Sequence, residues 1–411
     1  MFSGRRRAAA WFAGAALLAL PPAAAGAGDA DLKVVGRSDL GGGGGHVAVA
    51  AGGTEALVVS EAGAPCGAGR VRIVAFGNPR RPRLAGEEDL PFPGPVGGAA
   101  AEDDLVAVAA GGCPDRGGGV AFYRRGRLVG TIGPIAARAV TLGTRADART
   151  VAAVVSAVPA RVDVVDVTDP AAPAYVARWS PPRGTPVDAA FLDLGRRMFV
   201  LTDDGLVYDI DVSRGPAPAT GPSLPVPGGR ASSLSSLPLA DRTIGIVSQP
   251  EGLRILDGKA SPGGGAPGGA VRSAAGAAPG KVVASGDYAF VPWHEEGVRV
   301  IDLGGLHPTT LAAFAPGGDI VGVALLPNHI LALDPVAGLY VLERPGEGGG
   351  GSWWDNAGVF LAGLGIAGLM AFIAVPRIAT ALAAASQGSR APVPAAAPAR
   401  VRRRVRPGSR R

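Results

Sequence analysis

Apolar and polar residues alternate along most of the chain between residues 31 and 344. Clusters of Gly, Pro, Asp and Asn interrupt this alternation at intervals of roughly ten residues. Little of the region shows the 3.6-residue period of an amphipathic helix. The pattern therefore predicts an all-β domain of short strands joined by tight turns.

One alternating segment recurs along this region, and it is best preserved in VDVVDV at residues 162–167. Seven copies begin at Val71, Val120, Val162, Leu206, Leu253, Val298 and Leu339, at intervals of 49, 42, 44, 47, 45 and 41 residues. A repeat of about 45 residues has room for four short strands, as in one blade of a β-propeller. The predicted fold is all-β, a seven-bladed β-propeller with four-stranded antiparallel blades, whose strands a to d run from the channel outward.

The last predicted blade lacks an outer strand of its own, because the chain enters a glycine-rich stretch after LYVLERPG at residues 339–346. The segment DLKVVGRSD at residues 31–39 has the pattern of a strand and leads into blade one. We expect this N-terminal strand to close the last blade and so to cover its open edge. Six blades, eight blades or a degenerate fifth blade remain open alternatives, because residues 261–280 are mostly Gly, Ala and Pro.

Both ends of the chain have the composition of membrane-targeting segments. Three arginines at residues 5–7 precede an apolar run at residues 8–20 and then small residues, which is the order found in a secretory signal peptide. Residues 357–375 carry no charge and would span about 28 Å as a helix. The predicted divisions are a signal peptide (1–27), the propeller (28–344), a Gly-rich linker (345–354), one C-terminal transmembrane helix (355–383) and a disordered tail (384–411).

The distribution of charge predicts how the chain is oriented. The tail after the apolar segment is rich in arginine, which favours a cytoplasmic tail and a propeller outside the cytoplasm. The whole chain has a net charge of +6, but residues 31–352 contain 28 basic and 32 acidic residues. The basic excess therefore lies in the terminal segments, which argues against nucleic-acid binding by the propeller. The predicted location is the cell membrane, with a single span.

A second pattern follows some of the repeated segments, a turn of the form D/N-P-x-x-P, reduced to His-Pro in one copy, and then a short apolar strand. The clearest copies are VDVVDVTDPAAPAYVARW (162–179), VRIVAFGNPRRPRLAG (71–86) and VRVIDLGGLHPTTLAAF (298–314). This combination resembles the LVIVD-repeat family of extracytoplasmic β-propeller proteins. The resemblance implies a fold and a location outside the cytoplasm. It implies no catalytic residues, since members of the family are mostly of undefined biochemical role.

The chain offers few groups for catalysis or metal binding. Its four histidines (His46, His294, His307 and His329) form no metal-binding motif. The polar residues expected near the channel are His46, Asp188, Lys281 and Asp319, which are of mixed type and form no repeated ring. We therefore predict no catalytic, metal-binding or cofactor-binding residues.

The two cysteines, Cys66 and Cys113, fall in the turns between strands b and c of adjacent blades. In an oxidising compartment such a matched pair favours a disulfide that joins blades one and two. Two free thiols are the alternative.

The predicted turns differ in charge between the two sides of the disc. The b–c turns carry Glu61, Asp115, Asp203, Asp204, Glu251, Glu295, Glu296 and Asp334, with Arg116 as an exception. The c–d turns carry Arg80, Arg81, Arg83, Arg124, Arg125, Arg127, Arg214 and Lys259. One hypothesis is that the basic side faces anionic lipid and the acidic side faces a basic partner. The alternative is that these charges merely keep both sides soluble.

Within the b–c turns, PWHEE (292–296) and TDDG (202–205) depart most from the repeated pattern. The predicted partner-binding face consists of Asp203, Asp204, Trp293, His294, Glu295, Glu296 and Asp334. The expected function is a non-enzymatic, membrane-anchored binding or scaffold module with an unknown extracytoplasmic protein partner. The alternative is a propeller enzyme, such as a lactonase-like hydrolase or a quinone-cofactor oxidoreductase, in which acidic or histidine side chains would converge on the channel.

Overall fold

The computed structural model describes residues 30–40, 46–52, 54–64, 66–113, 116–213, 215–239, 243–257, 269–273, 276–304 and 307–345. The predicted signal peptide, transmembrane helix and tail lie outside these residues. Within them, no helix is long and apolar enough to cross a membrane. The regular structure of the described part consists of β-strands.

Two short strands precede the first blade: β1 (Ala30–Asp31) and β2 (Val34–Ser38). Four complete blades follow along the chain. Blade one contains β3 (His46–Gly52), β4 (Glu55–Ser60), β5 (Ala68–Ala75) and β6 (Arg83–Pro93). Blade two contains β7 (Val96–Glu102), β8 (Leu105–Cys113), β9 (Arg116–Arg124) and β10 (Arg127–Ile132). Blade three contains β11 (Ala137–Thr144), β12 (Thr150–Ala157), β13 (Ala160–Asp166) and β14 (Ala174–Trp179). Blade four contains β15 (Pro186–Leu192), β16 (Arg197–Thr202), β17 (Leu206–Asp211) and β18 (Ala219–Pro225).

The last three blades are formed by the remaining strands. Blade five contains β19 (Ser233–Pro238), β20 (Thr243–Gln249), β21 (Gly252–Asp257) and the short β22 (Ala270–Arg272). Blade six contains β23 (Val283–Ser285), β24 (Tyr288–Pro292), β25 (Val298–Asp302) and β26 (Thr309–Phe314). Blade seven contains β27 (Gly322–Leu326), β28 (His329–Asp334) and β29 (Gly338–Glu343). The prediction of seven four-stranded antiparallel blades is confirmed, and blade five has all four strands.

The N-terminal segment closes the ring. Strand β2 pairs antiparallel with β29, with Arg37 opposite Tyr340, and so supplies strand d of blade seven. This confirms the predicted closure. The sequence did not predict β1, which pairs in parallel with β26 on the outer edge of blade six. The first nine described residues therefore join blades six and seven.

The hydrophobic core is divided among seven clusters, one at each junction between neighbouring blades. Strands b and c lie between two junctions, so both of their faces are covered. Five of the six residues of β4 are buried, and so are six of the eight residues of β12. Outer strands such as β14 are covered on one face and alternate more nearly between buried and exposed. This difference explains why the inner strands read as continuous apolar runs.

Prolines of the c–d turns contact the outer strand of the preceding blade at four junctions. These contacts are Pro79 with Gly36, Pro170 with Gly130, Pro216 with Arg178, and Pro308 with Gly269. A Cβ atom at Gly130 would lie only 1.6 Å from the carbonyl oxygen of Pro170, so a larger residue would force the two blades apart. A proline in the c–d turn therefore forms a joint between blades, and in two of the four cases, Pro79 and Pro170, it belongs to the D/N-P-x-x-P pattern.

The antiparallel order of the strands defines two faces of the disc. The b–c turns and the connections from strand d to the next strand a lie on one side, called here the upper face. The a–b and c–d turns lie on the other side, called the lower face. Each strand a runs along the channel from the upper to the lower face.

Candidate functional site

The central channel of the described structure holds a cavity with a volume of about 1080 Å³. All seven blades contribute residues to its wall, mostly Ala, Val, Leu and Gly from the a strands. Charged side chains are few and divide by position. Arg138, Asp188 and Lys281 line the upper end, whereas Glu102 and Asp193 line the lower end.

Asp188 joins three blades at the upper end of the channel. Its side chain is almost fully buried, at 3% exposure. One carboxylate oxygen accepts the backbone N–H of Ala189 at 2.9 Å, and the other accepts that of Leu234 in blade five at 3.0 Å. The ammonium of Lys281, from blade six, lies 3.0 Å from the first oxygen. Asp188 and Lys281 are 93 residues apart, and no sequence pattern predicted this pair.

Arg138 also lines the upper end of the channel, and the sequence analysis missed it. A β-bulge between Ala137 and Ala139 sets it apart from the regular pairing of β11. The side chain is exposed, and it forms no ion pair or hydrogen bond with any other residue in the described part of the chain. The sequence feature that could have identified Arg138 is that it is the only charged residue in a strand a of otherwise small or uncharged residues.

The lower end of the channel carries the opposite charge. Glu102 accepts a hydrogen bond from the Thr144 hydroxyl at 2.8 Å. Asp193 lies 3.1 Å from the guanidinium of Arg197. The channel is therefore cationic at its upper end and acidic at its lower end, which is the reverse of the turn charges on the two faces.

Two of the other residues expected near the channel are Asp319 and His46. Asp319 lies on the upper face, where its carboxylate is 2.8 Å from Nδ1 of His294. His294 has a φ of 49° and pairs through its backbone with Ile320, and its half-exposed ring borders the cavity. The side chain of His46 lies outside the described residues. No cluster of three or more His, Cys, Asp or Glu side chains that could hold a metal occurs in the described ranges.

Two residues of PWHEE are structural, which corrects their assignment to a partner-binding face. Trp293 is completely buried, and its indole N–H donates to the carbonyl of Ala277 at 2.9 Å. The guanidinium of Arg299 stacks on its ring at 4.9 Å and also pairs with Glu296. Only Glu295, which is exposed, and the half-exposed His294 remain available in this turn.

Asp334 is corrected for a similar reason. It is 4% exposed and accepts the backbone N–H groups of Val336 and Ala337 at 2.8 and 2.7 Å. These bonds fix its own b–c turn, as a buried aspartate before a turn often does. Aspartate followed by Pro-Val-Ala was the signal for this role.

Asp203 and Asp204 lie on the upper face as predicted by their turn, but both already have partners. Asp203 accepts the backbone N–H of Thr185 at 2.8 Å. Asp204 accepts the Thr202 hydroxyl at 2.6 Å and pairs with Arg183 at 3.1 Å. Both side chains are exposed, and only the charge of Asp204 is balanced by a neighbouring cation.

Cys66 and Cys113 form a disulfide across the upper face of blades one and two, with their Cα atoms 5.8 Å apart. The disulfide closes a loop of 47 residues. It links strands b and c of one blade to strand b of the next.

The lower face is less uniformly basic than the c–d turns suggest, because the a–b turns add acidic residues to the same side. Asp104 lies 3.1 Å from Arg124 and 3.8 Å from Arg125. Arg214 and Lys259 lie outside the described residues. Four exposed arginines, Arg80, Arg81, Arg83 and Arg127, have no side-chain ion pair within the described chain, and together with Arg125 they form what we call the basic arc of blades one and two.

A polar pair lies inside the junction of blades one and two. Tyr123 is fully buried, and burial, followed by the charge of Glu88, raises the pKa of its hydroxyl. Burial also raises the pKa of Glu88. The Tyr123 hydroxyl and one Glu88 oxygen have no hydrogen-bond partner among the described atoms.

Comparison with known proteins identifies the fold. No protein family profile matches the sequence, and no curated protein matches it. Among solved structures, the chain is similar to the β-propeller domain of Cps50 (Swd1) from Myceliophteria thermophila, with a TM-score of 0.54 and 12% identity over 75% of this chain and 99% of that one. It is also similar to the C-terminal WD40 domain of Sif2, with a TM-score of 0.52 and 13% identity over 77% of this chain and 99% of that one. At these identities the chain shares the β-propeller fold with the two domains.

Proposed function

We propose that this chain is a membrane-anchored, extracytoplasmic propeller of the LVIVD-repeat kind that binds a protein partner through its upper face and catalyses no reaction. The similarity to WD40 propeller domains supports a role as a scaffold. The main support for the proposal is the surface of the b–c turns, which combines exposed apolar and acidic side chains.

The two most exposed large apolar side chains of the described residues are both tips of b–c turns. Val158 in blade three is 76% exposed, and Val336 in blade seven is 82% exposed. Exposed acids on the same face, without an ion pair among the described residues, are Glu61, Glu251 and Glu295. Apolar tips among acidic residues favour a protein partner that presents both apolar and basic side chains.

The placement outside the cytoplasm is supported by the Cys66–Cys113 disulfide, because such bonds persist in oxidising compartments. It is also supported by the predicted signal peptide and by the arginine-rich C-terminal tail. In intact cells a thiol-reactive reagent should modify neither cysteine until a reductant is added. Rapid modification of both cysteines without reduction would place the propeller in a reducing compartment.

The lower face is proposed to lie toward anionic lipid headgroups. The basic arc lies on this face, and so does Pro345, which follows the last strand of blade seven. The Gly-rich segment at residues 345–352 has an expected span of only about 16 Å. A cationic surface so close to the membrane would be attracted by anionic lipids.

The protein partner can be tested by photocrosslinking in cells. A photoreactive amino acid at position 158 or 336 of the full-length chain should give the same discrete protein adduct. Position 175 is the control, because Tyr175 is also exposed, at 55%, but lies on the outer strand β14. An equally strong adduct from position 175, or none from the two upper positions, would contradict the proposed face.

The lipid contact can be tested by vesicle flotation. The seven core clusters and the ring closure lie within residues 30–345, so a fragment of residues 28–345 is suitable. Binding to vesicles that contain phosphatidylserine should fall when Arg80, Arg81 and Arg127 are changed to Glu. The change Arg116→Glu on the upper face is the matched control and should have little effect. Binding that ignores the charge of the basic arc would refute the lipid contact.

A further inference from the structure

At the upper end of the channel, the side chain of Lys281 reaches from one blade to another. Lys281 begins in blade six, yet its ammonium reaches Asp188 in blade four. The Lys281 side chain is 37% exposed, and Asp188 uses only one of the three donors of the ammonium. Two N–H groups are therefore available to a molecule in the channel.

A second cation lines the same cavity. Arg138 lies in blade three, next to blade four, and lines the same cavity. Its guanidinium has five N–H donors, and none is used by another residue in the described part of the chain. The planar fork of an arginine matches the paired oxygens of a carboxylate or phosphate.

The local charge is not neutralised by the protein. The charged residues that line this end are Arg138, Lys281 and Asp188, which leaves an excess of one positive charge. Both oxygens of Asp188 are occupied by backbone N–H groups, one of them also by Lys281. Asp319 is not part of the cavity wall, and its carboxylate pairs with His294.

The remainder of the cavity suits an apolar body. Below the two cations the wall includes the partly exposed apolar residues Val283 and Leu325. The volume of about 1080 Å³ is at the upper limit for small-molecule sites. Glu102 and Asp193 at the lower end would repel an anion there. The charges of the channel therefore favour an anionic ligand, and they favour an orientation with its anionic group at the upper end.

We propose that the upper end of the channel binds a small organic anion, with its carboxylate or phosphate group between Arg138 and Lys281 and its apolar body directed down the channel. This site does not depend on the protein-binding role proposed above, because it lies inside the ring and uses residues that the exposed turns do not.

Calorimetric titration of the full-length protein with four six-carbon probes tests the site. Hexanoate and hexyl phosphate carry the two candidate head groups, whereas hexylammonium and hexanol are the cationic and neutral controls. One of the two anions should bind at least about tenfold more tightly than hexylammonium or hexanol, because charge-assisted hydrogen bonds dominate such sites. The anion that binds more tightly identifies the head group.

Two matched arginine variants locate the binding. Arg138→Gln should weaken binding of the preferred anion by about tenfold or more, since it removes the paired donors. Arg230→Gln removes the same charge from an exposed upper-face position that does not line the cavity, and it should leave the affinity unchanged. Equal melting temperatures of the two variants would show that both fold.

The proposal is overturned if none of the probes binds, if hexylammonium or hexanol binds as tightly as the anions, or if Arg138→Gln leaves the affinity unchanged. The comparison of probes uses the unaltered protein, so it stands even if a variant fails to fold.

Discussion

Around the rim, c–d turns with a proline touch the preceding blade at four junctions, whereas across the channel a single carboxylate, Asp188, joins blades four, five and six. The rim contacts repeat because several blades contain a proline in this turn, although the c–d turn of blade two, at residues 125–126, has none. The channel contacts occur once, because they need particular residues in three successive blades, namely Asp188, Leu234 and Lys281.

The rim contacts hold neighbouring blades together, whereas the channel contacts of Asp188 give the upper end of the channel its particular chemistry. A repeated contact can be read from the repeat itself and adds stability at every junction where it occurs. A contact made once is invisible in the repeat, and in this protein it positions a cation in the channel. Variants at the two places should therefore differ in what they change.

The largest effect is expected in the channel. Asp188→Ala removes a buried carboxylate that accepts two backbone N–H groups and an ammonium, and it should lower the free energy of unfolding by about 3 kcal/mol. Lys281→Met leaves both backbone hydrogen bonds in place and should cost only about 1 kcal/mol. Urea unfolding measures both, and equal losses would mean that the bonds to Ala189 and Leu234 contribute little.

A smaller loss is expected at the rim. Gly130→Ala places a methyl group against the carbonyl of Pro170 and should lower the free energy of unfolding by about 2 kcal/mol. Gly77→Ala is the control, because a Cβ atom at Gly77 meets no other atom within 4 Å. Anion binding in the channel should survive Gly130→Ala. If the two glycine variants are equally stable, the proline joint does not hold the blades together.

The smallest effect concerns the polar pair inside the rim between blades one and two. Burial raises the pKa of Glu88 above its ordinary value of 4.5, so its neutral form is favoured in the folded protein. The resulting stability is present below that value and is lost as the pH rises through the raised pKa. Glu88→Gln should therefore gain stability relative to the unaltered protein as the pH rises above 4.5. Thermal unfolding across this range measures the gain, with exposed Glu61→Gln as the control, and a gain that does not change with pH would contradict it.

The repeat predicted most of the fold and little of the site. Spacing and alternation were sufficient for seven blades and for the closing strand, because every blade must bury the same two faces. The pairing of Asp188 with Lys281 was not predictable, since it depends on how far a side chain reaches across the channel. The a–b turns were left out of the predicted charge of the lower face, so Asp104 was missed.

The turn PWHEE shows why local polarity was a poor guide to the site. Its polar residues suggested an exposed tip, but Trp293 is buried. Arg299 stacks on the Trp293 ring and also pairs with Glu296. A tryptophan within a turn can belong to the hydrophobic core. Whether it is buried depends on how the neighbouring blade packs against it. Val158 and Val336, which are short apolar residues, are the exposed tips instead.

The closing strand β2 has a consequence for how the protein is made. Arg37 in β2 donates hydrogen bonds to the carbonyl of Ala337, 300 residues later in the chain. Strand β2 is synthesised before the first blade and must therefore remain unpaired until the last blade has been completed. A contact between such distant residues is slow to form. During synthesis the growing chain would expose two strand edges, at residues 30–38 and at each newest blade, and it would need protection from association until the two ends meet.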